Sequence, residues 1–191
     1  MSIFQEIMET SKSKYVVRKA KSLDKKFSLK SANDLQKAIE LAYICYVIDE
    51  FDFSLKIVDS LNEIKFTGDY RIWEAVRSGL YLQSAIYKER DENEQAEKCI
   101  KRIRLALEET TPLNRKVFQR VLNGQMIPSG YDKVEQAADE KSECAWRLLL
   151  LRHLIQIREM GGGEEFSAER ADKEIKENMV RLTELAKKYY K

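Results

Sequence analysis

His153 is the only histidine in the chain, so chemistry that needs paired imidazoles is excluded. It shares a helical face with Trp146, Leu149, Leu150 and Ile157, and no serine, cysteine or carboxylate is spaced to link it into a catalytic relay. We therefore expect a partly buried core histidine rather than a general base. The motifs of zinc proteases, serine hydrolases and P-loop proteins do not occur. The sequence predicts no catalytic residue, and we expect a protein that is not an enzyme.

The three cysteines, Cys45, Cys99 and Cys144, are far apart in apolar helical patterns, and no CxxC pair occurs. This pattern favours small buried thiols over a disulfide framework or a zinc site. Three glycines at 161–163 precede a predicted helix, but the two glutamates that follow would repel a phosphate group there. We interpret the glycines as the end of a helix. The sequence predicts neither a metal nor a cofactor.

Two short acidic turns are the residues best suited to recognising a partner. They are Asp49, Glu50 and Asp52 in the first turn and Asp91, Glu92 and Glu94 in the second. Each turn precedes a helical pattern, so its carboxylates would complement the positive end of a helix dipole. If the helices stack in register, both turns also lie on one edge that would bind a basic partner. Both interpretations stay open, and the second assigns all six residues to partner binding.

The overall charge gives no reason to expect nucleic acid or a membrane as partner. The net charge is only +2, although the N-terminal helix carries Lys14, Arg18, Lys21 and Lys25 on one side. We interpret that basic side as the solvated face of a packed helix. No run approaches the roughly 18 apolar residues of a membrane span, and acidic residues near the N-terminus do not fit a signal peptide. We therefore expect a cytoplasmic protein without a membrane partner.

Composition and capping signals predict the elements that must position these residues. Glycine and proline are scarce, at 7 and 2 residues, which favours an all-α fold. Seven to eight helices are predicted, and their N-termini are marked by Ser2, Ser31, Asp52, Asp69, the turn at 91–93, Thr111, Asp132 and Ser167. The only predicted loop of any length covers 123–131. Residues 1–122 would hold an N-terminal helix, two hairpins and a short helix, and residues 132–191 a long hairpin packed on them.

A repeat with a period of 42 residues relates the two predicted hairpins. Ala42 aligns with Ser84, Asp49 and Glu50 align with Asp91 and Glu92, and Val58 aligns with Ile100. Over residues 33–108 this pattern resembles the tetratricopeptide repeat. The residues that match the repeat are Leu41, Ala42, Phe51, Ser54, Val58 and Leu61 in the first unit and Ser84, Tyr87, Ala96 and Ile100 in the second. The period departs from the roughly 34 residues of that family. Stacked antiparallel hairpins and an irregular helical bundle both explain the pattern.

The resemblance implies a module that binds a protein or peptide. Stacked hairpins expose their first helices in a concave groove, so Tyr46, Tyr81 and Tyr87 would either line that groove or fill the core. The chain also resembles uncharacterised helical proteins of bacterial genomes, some of which are suspected immunity proteins. We expect a non-catalytic binding module of the bacterial cytoplasm. The alternative is an immunity-type protein that neutralises a basic toxin through its acidic edge.

Overall fold

The computed structural model describes residues 2–61, 64 and 70–191, and within these ranges it contains ten α-helices. The helices are α1 (Ile3–Thr10), α2 (Lys14–Asp24), α3 (Ala32–Val47), α4 (Phe51–Asp59), α5 (Tyr70–Glu89), α6 (Asn93–Glu109), α7 (Pro112–Leu122), α8 (Ile127–Glu135), α9 (Glu140–Glu159) and α10 (Ala168–Tyr189). The prediction of an all-helical fold is confirmed. The prediction of seven to eight helices is wrong.

The extra helices arise where local signals were ambiguous. The predicted loop at 123–131 contains most of α8, in which Pro128 occupies the first turn and Gly130 lies against α9. A Cβ on Gly130 would stand 3.1 Å from Leu150 Cδ1, so the glycine permits a close helix crossing. Asp132 lies inside α8, and the N-cap of α9 is Asp139, whose side chain accepts a hydrogen bond from Ser142 N at 2.7 Å.

Most of the predicted helix starts are correct because they depend on local hydrogen bonds. The side chains of Ser2, Ser31, Thr111 and Ser167 each accept a bond from a backbone N–H in the first turn of their helix. Ser13 does the same for α2, which divides the N-terminal segment into two helices. Helix α4 begins one residue before the predicted cap Asp52, and the predicted turn at 67–69 lies outside the described residues.

The central helices are α3 and α5, and both are buried over most of their length. Helix α5 packs against α3, α4, α6 and α9, while α2 covers α3 and α1 touches α4. At the far side α9 packs against α8 and α10, and α10 also contacts α3. One cluster of buried apolar side chains runs through both predicted parts, 1–122 and 132–191, whose division into two units stays a prediction.

The tetratricopeptide resemblance is not confirmed by these contacts. In a solenoid each repeat touches only its neighbours. Here α9 and α10 both contact α3, so the third hairpin closes back onto the first instead of extending a stack.

Candidate functional site

Three helical hairpins turn at one side of the molecule, which we call the hairpin edge. It consists of the C-terminal ends of α3, α5 and α9 and the N-terminal ends of α4, α6 and α10. Arg90 Nη2 donates to Asp52 Oδ1 at 2.7 Å and so connects the second turn to the first. Lys88 Nζ lies 2.8 Å from Glu159 Oε2 and connects α5 to α9. These two contacts place the two acidic turns and the end of α9 beside one another.

The two acidic turns have the same backbone conformation. Asp49 and Asp91 adopt left-handed φ angles of 65° and 61°. The following residue donates its backbone N–H to a carbonyl five positions earlier, from Glu50 to Cys45 and from Glu92 to Tyr87, each at 2.8 Å. This is the Schellman arrangement, in which aspartate takes the place usually held by glycine. The repeat of 42 residues therefore reproduces one turn geometry twice.

The six predicted carboxylates differ in their exposure and in their hydrogen-bond and ion-pair partners. Asp49, Asp91 and Glu92 are exposed, and Asp52 is exposed although it pairs with Arg90. Glu94 is also exposed and lies 3.1 Å from Lys98, one helical turn away. Glu50 is half-buried and accepts bonds from Ser11 Oγ at 3.0 and 2.9 Å. Five of the six carboxylates thus reach solvent, whereas Glu50 anchors the α1–α2 connection.

Beside the first turn lies a cleft of 390 Å³. Glu6, Asp49, Glu50 and Asp52 contribute four carboxylates to its lining, against two cations, Lys56 and Arg90. Lys56 pairs with Glu6, and Arg90 pairs with Asp52. The local potential is therefore negative, which suits a cationic group of a partner.

The three predicted tyrosines separate by burial. Tyr81 is fully buried and Tyr46 is 6% exposed, so both belong to the core and neither is available to line a binding groove. Burial raises the pKa of Tyr46, and its hydroxyl donates to Glu89 Oε1 at 2.5 Å, which raises it further. Only Tyr87 is half-exposed. Of the two roles that the sequence leaves open for these tyrosines, Tyr46 and Tyr81 have the core role.

Glu159 is the residue of this edge that sequence reasoning missed. Its side chain is only 1% exposed, and Ser84 Oγ donates to it at 2.6 Å. Arg158 Nε lies 3.0 Å from its second oxygen and also reaches Asp172. The available signal was its spacing, because it follows the buried Leu151 and Ile155 at intervals of four along α9. A carboxylate at such a position needs partners, and here Lys88, Arg158 and Ser84 supply them.

Burial shifts the pKa values of the candidate nucleophiles and of the candidate base. All three cysteines are buried and free, and burial raises the pKa of Cys99 to about 11. Burial, together with the charge of Arg152, lowers the pKa of His153 to about 4, so the imidazole is neutral at pH 7. Its Nδ1 atom is buried without a hydrogen-bond partner among the described residues. Within 2–61, 64 and 70–191 no group of three His, Cys, Asp or Glu side chains is arranged to hold a metal ion.

The fold and the edge define the class of protein: an all-helical chain whose hairpin turns form a charged, predominantly acidic surface. The chain belongs to a family of unknown function, DUF6707, whose model matches residues 1–184. No curated protein and no solved structure matches it. Among the described helices none has the length and apolar character to cross a membrane. The prediction of an uncharacterised helical family is confirmed.

Proposed function

We propose that this protein is a non-catalytic module that binds a basic protein or peptide through the hairpin edge. The observation that carries the proposal is the ion pair of 2.7 Å between Arg90 and Asp52, which brings two separate acidic turns side by side. Residues 33–108 supply both turns. The repeated Schellman geometry supports a tetratricopeptide-like relationship between these two hairpins.

The charges of the edge suit a basic partner. Asp49, Asp91 and Glu92 are exposed and make no ion pair with any described residue. Because their turns are fixed by backbone hydrogen bonds, little conformational entropy is lost when a partner engages them. Exposed charges of one sign mainly accelerate association with an oppositely charged surface. The proposal therefore predicts that neutralising these residues slows binding more than it destabilises the fold.

The absence of catalysis is part of the proposal. It is supported by thiols and tyrosines whose pKa values are raised by burial, and by a neutral histidine to which no described nucleophile is hydrogen-bonded. We also propose that the module acts in the bacterial cytoplasm.

An immunity-type role is the alternative. The same acidic edge would cover the basic surface of a toxin, and the cleft of 390 Å³ beside the first turn would receive one of its cationic side chains. Under this alternative a toxin gene lies next to the gene for this protein. Co-expression would then protect cells from the product of that neighbouring gene.

Association rates test the proposal. The association rate with a partner captured from the native host is measured for three proteins. They are the wild type, the triple variant Asp49→Asn, Asp91→Asn, Glu92→Gln, and a matched triple variant on α10. The α10 variant, Glu177→Gln, Val180→Lys, Glu184→Gln, changes the net charge equally at three exposed positions outside the hairpin edge. Asparagine is chosen at the two left-handed positions because it tolerates that conformation.

We expect the edge variant to associate about tenfold more slowly at low salt, with a smaller difference at high salt. The α10 variant should associate like the wild type. Equal association rates for all three proteins at both salt concentrations would contradict an acidic binding edge.

A further inference from the structure

A second concave surface lies near the opposite end of α3 and α9, away from the hairpin edge. This α3–α9 groove has a volume of 470 Å³, and the residues that matter here are Lys37, Glu40, Tyr43, Trp146, Leu149 and Arg152. Sites for small organic molecules typically measure about 300–1,000 Å³. The groove is therefore large enough for a compact molecule with two or three rings.

One wall of the groove is apolar and held in place. Trp146 is half-buried, and Lys133 Nζ from α8 lies over its ring, 4.5 Å from the ring centroid. Leu149 follows one helical turn later and is 37% exposed. A fixed indole beside an exposed leucine offers a ligand apolar contact at little entropic cost.

The floor of the groove is polar, and its side chains already have hydrogen-bond partners within the protein. Arg152 donates to Ser78 Oγ at 2.5 Å, to Gln36 Oε1 at 2.9 Å and to Glu74 Oε1 at 2.9 Å. Tyr43 Oη donates to the backbone oxygen of Ser78 at 3.1 Å. Glu74 therefore balances the charge of Arg152, and the floor gives shape to the groove without an uncompensated charge.

The rim carries one charge that is not balanced. Glu40 lies 3.3 Å from Lys19, so those two side chains form a pair. Lys37 is exposed and makes no ion pair with any residue that the structure describes. With the other charges balanced, the groove combines an aromatic wall with a free ammonium group.

We propose that the α3–α9 groove binds a small organic anion with an apolar ring system, its rings against Trp146 and Leu149 and its anionic group beside Lys37. The apolar wall beside a single unpaired ammonium group favours an occupant with a ring system and one anionic group. The proposal is independent of the hairpin edge.

Two fluorescent probes that differ by one anionic group provide the test. They are 8-anilinonaphthalene-1-sulfonate and N-phenyl-1-naphthylamine, which has the same rings without the sulfonate. Both are titrated into the wild type and into Leu149→Gln and Lys37→Glu. Controls on α7 make the same exchanges at exposed positions outside the groove, Leu113→Gln and Lys116→Glu.

We expect Leu149→Gln to weaken both probes and Lys37→Glu to weaken only the sulfonate, by about fivefold. The α7 variants should bind both probes like the wild type, and thermal unfolding should verify that all variants are folded. The proposal is overturned if Leu113→Gln abolishes probe binding, or if Lys37→Glu leaves the sulfonate affinity unchanged. It is equally overturned if only an acidic peptide, and neither probe, binds to the groove.

Discussion

Polar side chains inside the helical core are stabilised by several different kinds of partner. Arg77 is 1% exposed, and its guanidinium carbon lies 4.4 Å from the ring centroid of Trp73 and 4.6 Å from that of Phe118. The two rings provide cation–π contacts where the described residues provide no carboxylate. His153 makes neither a ring contact nor an ion pair with any described residue, and it stays neutral. Burial therefore sets its protonation state.

The free energy of unfolding should decrease as the pH falls below 6.5, because an exposed histidine becomes protonated there and His153 does not. The pKa of His153 is about 4 in the folded protein, against an ordinary value of 6.5. Between these values the unfolded chain binds a proton that the folded chain does not bind, so acid favours unfolding. We expect the free energy of unfolding to fall between pH 6.5 and 5 in the wild type, and to fall less in His153→Gln.

Urea unfolding at several pH values measures this change, and the single imidazole can be followed by NMR in the same range. Because the chain has only one histidine, its signal needs no assignment. An imidazole that titrates near 6.5 in the folded protein would show that His153 is exposed and would refute the prediction.

The acidic turns show how a helix end can be built without glycine. Asp49 and Asp91 adopt the left-handed conformation that a Schellman motif requires after a helix. A residue with a Cβ atom pays a steric cost there that glycine avoids. Both turns nevertheless have aspartate at this position, so a carboxylate lies at the tip of each of these two hairpins.

Substitutions at Asp91 should separate backbone strain from charge. We expect Asp91→Gly to raise the free energy of unfolding by about 0.5–1 kcal/mol, and Asp91→Val to lower it by about 1–2 kcal/mol. Glu92→Val is the matched control, because Glu92 is also exposed but has a φ of −88°. Chemical denaturation gives the comparison. If both valine variants lose the same stability, the left-handed conformation is not the cause.

At the scale of the whole molecule, α5 is a central helix that packs between the first hairpin and α9. It packs against α3 and α4 on one side and against α9 on another. Glu159 strengthens the second contact, since its buried carboxylate receives Lys88 and Ser84 from α5 and Arg158 from its own helix. The third hairpin is thus attached to α5 by polar contacts at Glu159 and at Arg152 as well as by apolar packing.

Removal of the Glu159 carboxylate should loosen this attachment. Glu159→Ala leaves the buried Ser84 hydroxyl without its acceptor and Arg158 with Asp172 as its remaining carboxylate, and we expect the free energy of unfolding to fall by about 2–4 kcal/mol. Glu177→Ala is the control, because Glu177 is an exposed partner of Lys173 at 3.8 Å, and it should have no measurable effect. Urea denaturation measures both variants. A Glu159→Ala protein as stable as the wild type would show that the buried ion pairs do not hold α9 on α5.

The sequence by itself determined the features that depend on neighbours along the chain. The caps at Ser2, Ser31, Thr111 and Ser167 follow from a side chain and a backbone N–H only a few residues apart. The two acidic turns were also visible, because a turn and the helix ends on either side are local. Their position on one edge was a hypothesis that depended on stacking, and the Arg90–Asp52 contact places them together.

Only the tertiary structure decided features that join residues far apart in the sequence. Gly130 was interpreted as a loop residue because the approach of α9, which needs a residue without a Cβ, is not encoded nearby. Tyr81 could equally have lined a groove until the packing of α5 buried it. The partners of Glu159 and the walls of the α3–α9 groove come from separate helices. Such contacts depend on how helices pack across the core, and a periodic apolar pattern specifies a buried face without specifying which helix covers it.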